Sequence, residues 1–527
     1  MYTPILQAKS NEPPEIRSAK PHETGAGLID ESTFRAIEVD RLFDAVNQSE
    51  SVAGQATLYR SLAQPLRDIK SIRDKQDALR ELRENPDLSE KIENLVKNAT
   101  LTENFFFALL HGTFIGMLGN PNHKHEYEGY GYIYYQRGTQ MMLDMARDAM
   151  QIAETQSIYL NETLAKIRSF PETYCGQLMT GPVYKTERGM LTRAEKRFWI
   201  PGFRFRPTLF KPLLILSLFA ILAFFYHFAP LSPGFSVKAL PVLLMFSLPL
   251  TVVYIPGVGT FDRDSCIYPL RDTFKKAPEV IEVYEALGKL DELLSFLRFG
   301  NSFGPDAVLA EINESAQHNM IAKQVKSPIL AKANRSYVPN SIELTKHRLT
   351  LITGPNSGGK TAFCKTIAQI QLLTQIGCPV PAESVSTTVA DCIFYQIPEY
   401  NSLDEGEGRF GTELQRTKEI FLASSPQSLV ILDELSEGTT YEEKLETSEN
   451  ILDGFRRKMN STLLITHNHE LVDTFINKGI GQATQVEFKD DEPSYRLIDG
   501  ISRVSHADRV AKKIGFSKED IDRYLGE

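Results

Sequence analysis

The residues best suited to chemistry in this 527-residue chain lie in Leu349-Thr-Leu-Ile-Thr-Gly-Pro-Asn-Ser-Gly-Gly-Lys-Thr361. Leu349 to Ile352 reads as a short buried strand, and Thr361 opens a helical pattern running to about Ile376. From Gly354 the spacing is G-x-x-x-x-G-K-T, a complete phosphate-binding loop. Unpaired backbone N–H groups at a helix N-terminus attract anions, and the helix dipole adds to that attraction. Gly354, Pro355, Asn356, Ser357, Gly358 and Gly359 are therefore expected to cradle the phosphates of ATP. Lys360 would hold the terminal phosphates, and Thr361 would offer a hydroxyl to Mg²⁺. The bland alternative is a glycine-rich turn without function, and the full pattern between a strand and a helix argues against it.

A second constellation follows about 70 residues later. Leu429-Val-Ile-Leu-Asp-Glu434 is an apolar strand ending in two carboxylates. Asp433 is placed to hold Mg²⁺ through its water shell, and Glu434 to orient or deprotonate an attacking water. Alone, such a run is a weak signal; after a complete phosphate loop it is a strong one. His467 follows the next apolar run, Leu463 to Ile465, at the ligand-bearing end of an open α/β sheet. It is expected to contact the γ-phosphate or the water. His469 lacks that placement and reads as structural. Phosphoryl transfer asks for positioning and charge neutralisation more than covalent chemistry. Lys360, Thr361, Asp433, Glu434 and His467 supply all of it except a group reaching the γ-phosphate from the far side, which a second subunit would bring.

The elements that must hold these groups fall into two textures. From Ser32 to about Leu110 apolar residues recur at helical spacing, residues 138–168 read as one long amphipathic helix with a methionine stripe, and Ala277 to Phe299 is helical again. A methionine stripe of this kind is normally core. From about Lys326 strands and helices alternate, the mark of an α/β domain. Hydrophobic residues make up 42% and charged residues 24%, ordinary for a globular chain. The net charge of −9 gives no overall attraction for nucleic acid, so any DNA contact must be local. Five scattered cysteines without CxxC spacing favour a reducing compartment and disfavour a zinc site.

Leu213 to Ala229 and Ala239 to Val258 hold 17 and 20 residues without Asp, Glu, Lys or Arg. Each approaches the ~17–25 residues that cross a bilayer. Lys196, Arg197, Arg204, Arg206 and Lys211, mixed with Phe198, Trp199, Phe203 and Phe205, precede the first run. Such flanks mark a cytoplasmic membrane interface. The expectation is a transmembrane hairpin in lipid contact through residues 213–258, with the nucleotide site on the cytoplasmic side of the cell membrane. The alternatives are a monotopic, half-inserted hairpin and a buried core hairpin in which Pro241 and Pro249 weaken the second run.

Taken together, Gly354 to Thr361, Ser428 to Leu435, Glu437-Gly-Thr-Thr440 and Thr466-His467 resemble the ATPase domain of the MutS family. Tyr337-Val-Pro-Asn-Ser-Ile342 and Val380-Pro-Ala382 resemble it as well, and Gly54 to Leu62 with Gln64-Pro-Leu66 and Ile72 to Gln76 resembles that family's helical core. The resemblance is close over residues 326–515 and looser over 32–300. It implies an ABC-class ATPase working as a homodimer with two composite sites. It implies that Tyr337 stacks on adenine beside Asn340, and that Gly408, Arg409 and Phe410 form the signature reaching the other subunit's phosphate. The family's usual Ser-Thr-Phe is replaced there, so either Arg409 substitutes as a trans-acting cation or the trans contact is weaker. No mismatch-reading or connector domain is expected, and the apolar runs stand where the family carries a DNA-clamping domain.

The expected fold class is therefore an all-α core and lever domain with an inserted transmembrane helical hairpin, followed by an α/β P-loop ATPase domain. The expected division is a tail at 1–31, core and outgoing lever at 32–207, hairpin at 208–258, returning lever at 259–325, ATPase domain at 326–500 and a C-terminal helical segment at 501–527. The function expected is a membrane-anchored, Mg²⁺-dependent ATP hydrolase whose cycle closes and opens a dimer, with DNA as a possible partner beside an unknown protein. The alternatives are a nucleotide-gated scaffold with little turnover and an ABC-type transporter component, the latter disfavoured by the missing Leu-Ser-Gly-Gly-Gln signature.

Overall fold

The computed structural model describes residues 16–187, 189–211, 253–334, 336–355, 358–398, 408–435, 441–489, 492–502 and 514–526, with isolated positions at 215, 217 and 220. The helices used below are, in chain order, α1 (Glu31–Ala36), α2 (Val52–Ala63), α3 (Pro86–His111), α4 (Pro278–Phe303), α5 (Lys360–Gln375), α6 (Gly408–Ala423), α7 (Tyr441–Lys458) and α8 (His469–Asn477). The chain divides into two compact units. One comprises Met1–Ser18, Ser49–Thr57 and Glu84–Glu292; the other comprises Ala19–Gln48, Leu58–Arg83 and Leu293–Glu527.

The first unit is built mainly of helices, and two buried carboxylates organise its centre. Asp291 accepts from the backbone N–H of Ser51 at 2.7 Å and from its hydroxyl at 2.6 Å. Glu103 accepts from the N–H groups of Val52 and Ala53 at 2.9 and 3.2 Å and from the Tyr284 hydroxyl at 2.5 Å. These carboxylates satisfy the N–H groups at the start of α2 that have no partner within the helix. Burial pushes the Glu103 carboxyl above its ordinary range, although the Tyr284 and backbone hydrogen bonds pull it back. Backbone approach here is so close that a Cβ on Gly54 would lie 2.2 Å from Asp291 Oδ2. That contact accounts for glycine at the head of the Gly54 to Leu62 stretch.

The second unit is organised around a six-stranded sheet of β1 (Leu349–Thr353), β2 (Ile393–Gln396), β3 (Leu429–Asp433), β4 (Ser461–Ile465), β5 (Gln482–Lys489) and β6 (Glu492–Asp499). Its order is β2-β3-β4-β1-β5-β6. All neighbours run parallel except the hairpin β5-β6. Every residue of β1, β3 and β4 is buried, as expected of parallel strands covered on both faces. One face packs Leu349, Leu351, Val430, Leu432 and Leu464 against Phe455, Leu471 and Phe475.

Two expectations about architecture are corrected. The front of the chain is not all-α: Val183–Thr186, Gly189–Leu191 and Phe203–Phe205 form a three-stranded antiparallel sheet, and Thr113–Phe114 pairs with Glu126–Tyr127. The fold is mixed α/β, and no helix among the described residues is long and apolar enough to cross a membrane. The long helices that are present carry too much charge: α4, at 26 residues, contains Glu279, Glu282, Glu285, Lys289, Asp291, Glu292 and Arg298. The hairpin expected at 208–258 falls largely outside the described residues, while residues 253–262 are helical and run into the π-helical turn Arg263–Ile267. The inserted membrane hairpin, its lipid contact and the integral cell-membrane placement are withdrawn. A run without charge is necessary for a span and does not by itself establish one.

A smaller correction concerns residues 138–168, which form two helices, Tyr132–Met150 and Ile158–Ser169. Ser157 starts the second by accepting the N–H of Leu160 at 3.4 Å, an N-cap that periodicity alone does not reveal. Met141, Met142 and Met145 are buried in the core.

Candidate active site

The carboxyl ends of β1, β3 and β4 meet at one level. Ile352, Asp433 and Ile465 are in register across the three strands. A single peptide group ties them together at their ends. The Ile465 carbonyl accepts from the N–H of Glu434 at 2.9 Å, and the Thr466 N–H donates to the Ile352 carbonyl at 3.1 Å. The loop after β1 and the carboxylates after β3 are thereby held on either side of β4.

Gly354 and Gly359 take left-handed φ values of 133° and 84°, turning the chain from β1 into α5, whose N-cap is Gly359. A Cβ on Gly358 would lie 2.8 Å from Cγ2 of Val486 on β5, so the loop rests directly on the neighbouring strand. Asn356 and Ser357 lie outside the described residues. The Lys360 ammonium donates to the carbonyls of Gly354 at 2.6 Å and Pro355 at 2.8 Å. Burial pushes this lysine down to about 8, while the charges of Glu434 and Asp433 act in the opposite direction.

The Thr361 hydroxyl donates to Asp433 Oδ2 at 2.9 Å. Two hard oxygen donors within hydrogen-bond reach at the head of a phosphate loop suit Mg²⁺, which takes few protein ligands and keeps several waters. Glu434 follows in the left-handed region, φ 63°, a backbone state that non-glycine residues seldom adopt. Its side chain is one-tenth exposed, with His467 Nε2 3.4 Å from Oε1 and Lys444 Nζ 3.8 Å from Oε2. His467 itself is 42% exposed. Lys360, Thr361, Asp433, Glu434 and His467, separated by up to 107 positions, thus converge (467 − 360).

Tyr337 and Asn340, the residues expected beside adenine, make contacts within the second unit. Tyr337 is half-buried, burial pushes its phenol up, and its hydroxyl engages Thr366 on α5 and the backbone of Ser327. Asn340 donates to the Tyr495 carbonyl at 2.9 Å and accepts from the Leu497 N–H at 2.7 Å, so its amide fastens β6. Next to α5, a cavity of about 220 Å³ is lined by Ser327, Leu330, Thr361, Ala362, Lys365 and Glu38. Gly408 begins α6; the side chain of Arg409 lies outside the described residues, and Phe410 is half-buried. Further along α6, Arg416 forms a 2.6 Å ion pair with the buried Asp30, which also caps α1. His469 opens α8 and makes no part of the carboxylate cluster.

Two residues near the site carried no signal in the sequence. Lys444 lies on α7, beyond the Asp-Glu pair. Tyr495, on β6, has φ 60°, is 54% exposed, and sits 3.4 Å from where a Cβ on Gly359 would be.

Comparison with known proteins adds an independent finding. Residues 350–524 match the family model described as MutS domain V. The chain is 35% identical over 195 residues to a DNA mismatch repair protein msh3 of Aspergillus terreus, covering 34% of this chain and 17% of that protein. It is 31% identical over 264 residues to a DNA mismatch repair protein MutS of Prochlorococcus marinus, covering 47% of this chain and 28% of that one. The matched stretches span less than a third of these relatives.

Proposed function

We propose that this chain, a MutS-family protein through its domain V, is a Mg²⁺-dependent ATP hydrolase that works as a homodimer. The observation that carries the reading is the convergence of Lys360, the Thr361–Asp433 pair and Glu434 at the ends of three adjacent strands. The backbone N–H groups at the start of α5 bind the phosphates, and Lys360 exchanges loop carbonyls for phosphate oxygens. Thr361 and Asp433 hold Mg²⁺, which when bound neutralises charge on the phosphate oxygens. Glu434 orients the attacking water and accepts its proton, and His467 steadies that carboxylate. The nucleoside enters the cavity beside Ala362 and Lys365, and Tyr337 stacks on its base. Gly408, Arg409 and Phe410 complete the partner's site, with Arg409 as the trans cation.

The nucleotide-binding domain occupies residues 326–500 in this reading, with the core at 32–207 and 259–325. DNA as a partner is supported by the relatives, which are named for DNA mismatch repair. A salt-sensitive affinity of the purified protein for DNA would uphold that partner, and a weak, salt-independent one would remove it.

The decisive experiment compares Mg²⁺-ATP turnover by the full chain with that of Glu434→Gln, alongside binding of a fluorescent ATP analogue. The variant is expected to bind nucleotide and lose about 10²–10⁴-fold in turnover, the usual worth of a general base. Equal, slow turnover in both would leave a nucleotide-gated scaffold instead of an enzyme.

A further inference from the structure

Resting on the reading of DNA as a partner, we propose that an arginine and aromatic surface of the first unit, around Arg197, Trp199 and Arg204, binds single-stranded DNA. Residues 193–206 hold five basic side chains against one carboxylate, Glu195. In a chain of net charge −9 that concentration is the local attraction a nucleic-acid contact requires.

The fold uses two of these charges to build a loop and leaves the others outside. Glu195 accepts from the Thr192 N–H at 2.9 Å and from its hydroxyl at 3.0 Å. Lys196 donates to the carbonyls of Arg197 at 3.0 Å and Ile200 at 2.6 Å, with its ammonium 5.7 Å from the centroid of the Tyr184 ring. Tyr184 lies on the central strand of the three-stranded sheet, opposite Arg204. The loop of residues 196–200 is thereby fastened beside Arg204. Arg197, Phe198, Trp199, Phe203 and Arg204 are all exposed, Trp199 at 77%. Phe203 meets the exposed Phe261 edge to face, with ring centroids 6.0 Å apart. Among the described residues no carboxylate pairs with Arg197 or Arg204.

Charge and ring type select the occupant. Exposed apolar patches rimmed by polar groups mark interaction surfaces. A second copy of this chain would set the same arginines against one another, because a two-fold contact uses one patch twice. A single strand of DNA suits both features: arginines follow its phosphates, and indole and phenyl rings stack on unpaired bases. In a duplex the base faces are already stacked, so only the arginines would engage.

Trp199 is the one tryptophan of the chain, so tryptophan emission reports on this surface alone. The test titrates the full chain, without ATP, with fluorescein-labelled oligo(dT) of about 16 nucleotides, enough to cover one such site. The oligonucleotide is expected to quench Trp199 emission. By anisotropy, Trp199→Ala is expected to bind it about tenfold more weakly and Trp199→Phe to recover most of that loss. Arg197→Gln combined with Arg204→Gln is expected to reduce the slope of log affinity against log salt by about 1.4, two phosphate contacts at about 0.7 each. Unchanged thermal unfolding shows that each variant is folded. Salt-sensitive binding that neither quenches Trp199 nor weakens in Trp199→Ala overturns this inference alone, because the DNA then sits elsewhere. Equal competition by a duplex of the same length overturns it, because stacking then plays no part. Emission that changes on dilution of the protein and not with oligo(dT) overturns it in favour of a second copy. If no salt-sensitive DNA binding is found, the reading of DNA as a partner fails and this inference falls with it.

Discussion

The hydroxyl of Thr361 reaches Oδ2 of Asp433 at 2.9 Å although 72 positions separate them in the chain. The contact exists because β3 and β1 flank β4 and end level with one another. An oxygen from the first turn of α5 and an oxygen from the end of β3 are thus brought together.

Asp433→Asn is expected to keep nucleotide affinity and raise the Mg²⁺ concentration needed for half-maximal turnover at least tenfold, on the order of 1.4 kcal/mol of metal binding. Steady-state hydrolysis across a Mg²⁺ titration checks this. An unchanged titration would remove Asp433 from the metal site.

Lys360 gives a pH signature. Burial sets it at about 8 without nucleotide, and phosphate charge will raise it in the complex. ATP affinity should therefore be highest below pH 8 and fall as pH rises past it, with binding taking up a proton in that range. Calorimetry in two buffers of different ionisation enthalpy reads the proton directly. For the nucleotide-free protein the sign is opposite: the unfolded lysine titrates near 10.4, so between about pH 8 and 10.4 the unfolded state binds more protons and this residue's contribution to stability improves as pH rises.

Arg416 and Asp30 form a pair whose side chains are 14% and 4% exposed. Burial works to raise the Asp30 carboxyl, and Arg416 together with the Thr33 N–H holds it below its usual range. Arg416→Met strips the charge partner from a buried carboxylate and is expected to cost about 3–5 kcal/mol. Adding Asp30→Asn should recover part of that. Thermal unfolding of the two variants measures it, and equal losses in both would mean the charge pair is not the cause.

Gly54→Ala is expected to destabilise the first unit by about 1–3 kcal/mol, because the added methyl would lie 2.2 Å from Asp291 Oδ2. Loss of the lowest thermal transition with ATP turnover per folded molecule unchanged is the expected readout.

The strands that lead to Lys360, Asp433 and Glu434 were readable from sequence because buried parallel strands are short apolar runs. Leu349–Ile352, Leu429–Leu432 and Leu463–Ile465 each end just before the residues proposed for the chemistry. What resisted reading were contacts created by the crossovers. Lys444 looks like one more charge in an acidic stretch until α7 brings it over Glu434. Asn340 has the right neighbours for a base contact, yet its amide is consumed by the backbone of β6. The short strands at 183–205 hide among aromatic and basic residues that suggested an interface with lipid. Counting uncharged residues over 213–258 measured composition, and composition alone does not make a span.

The peptide between Ile465 and Thr466 faces both ways, its oxygen toward Glu434 and its N–H toward Ile352. Tilting that one amide plane would disturb Glu434 and the end of β1 together. In the proposed ATPase, nucleotide capture and bond cleavage would share a mechanical pivot, and a bulky or helix-breaking change at Thr466 would throw the two out of step.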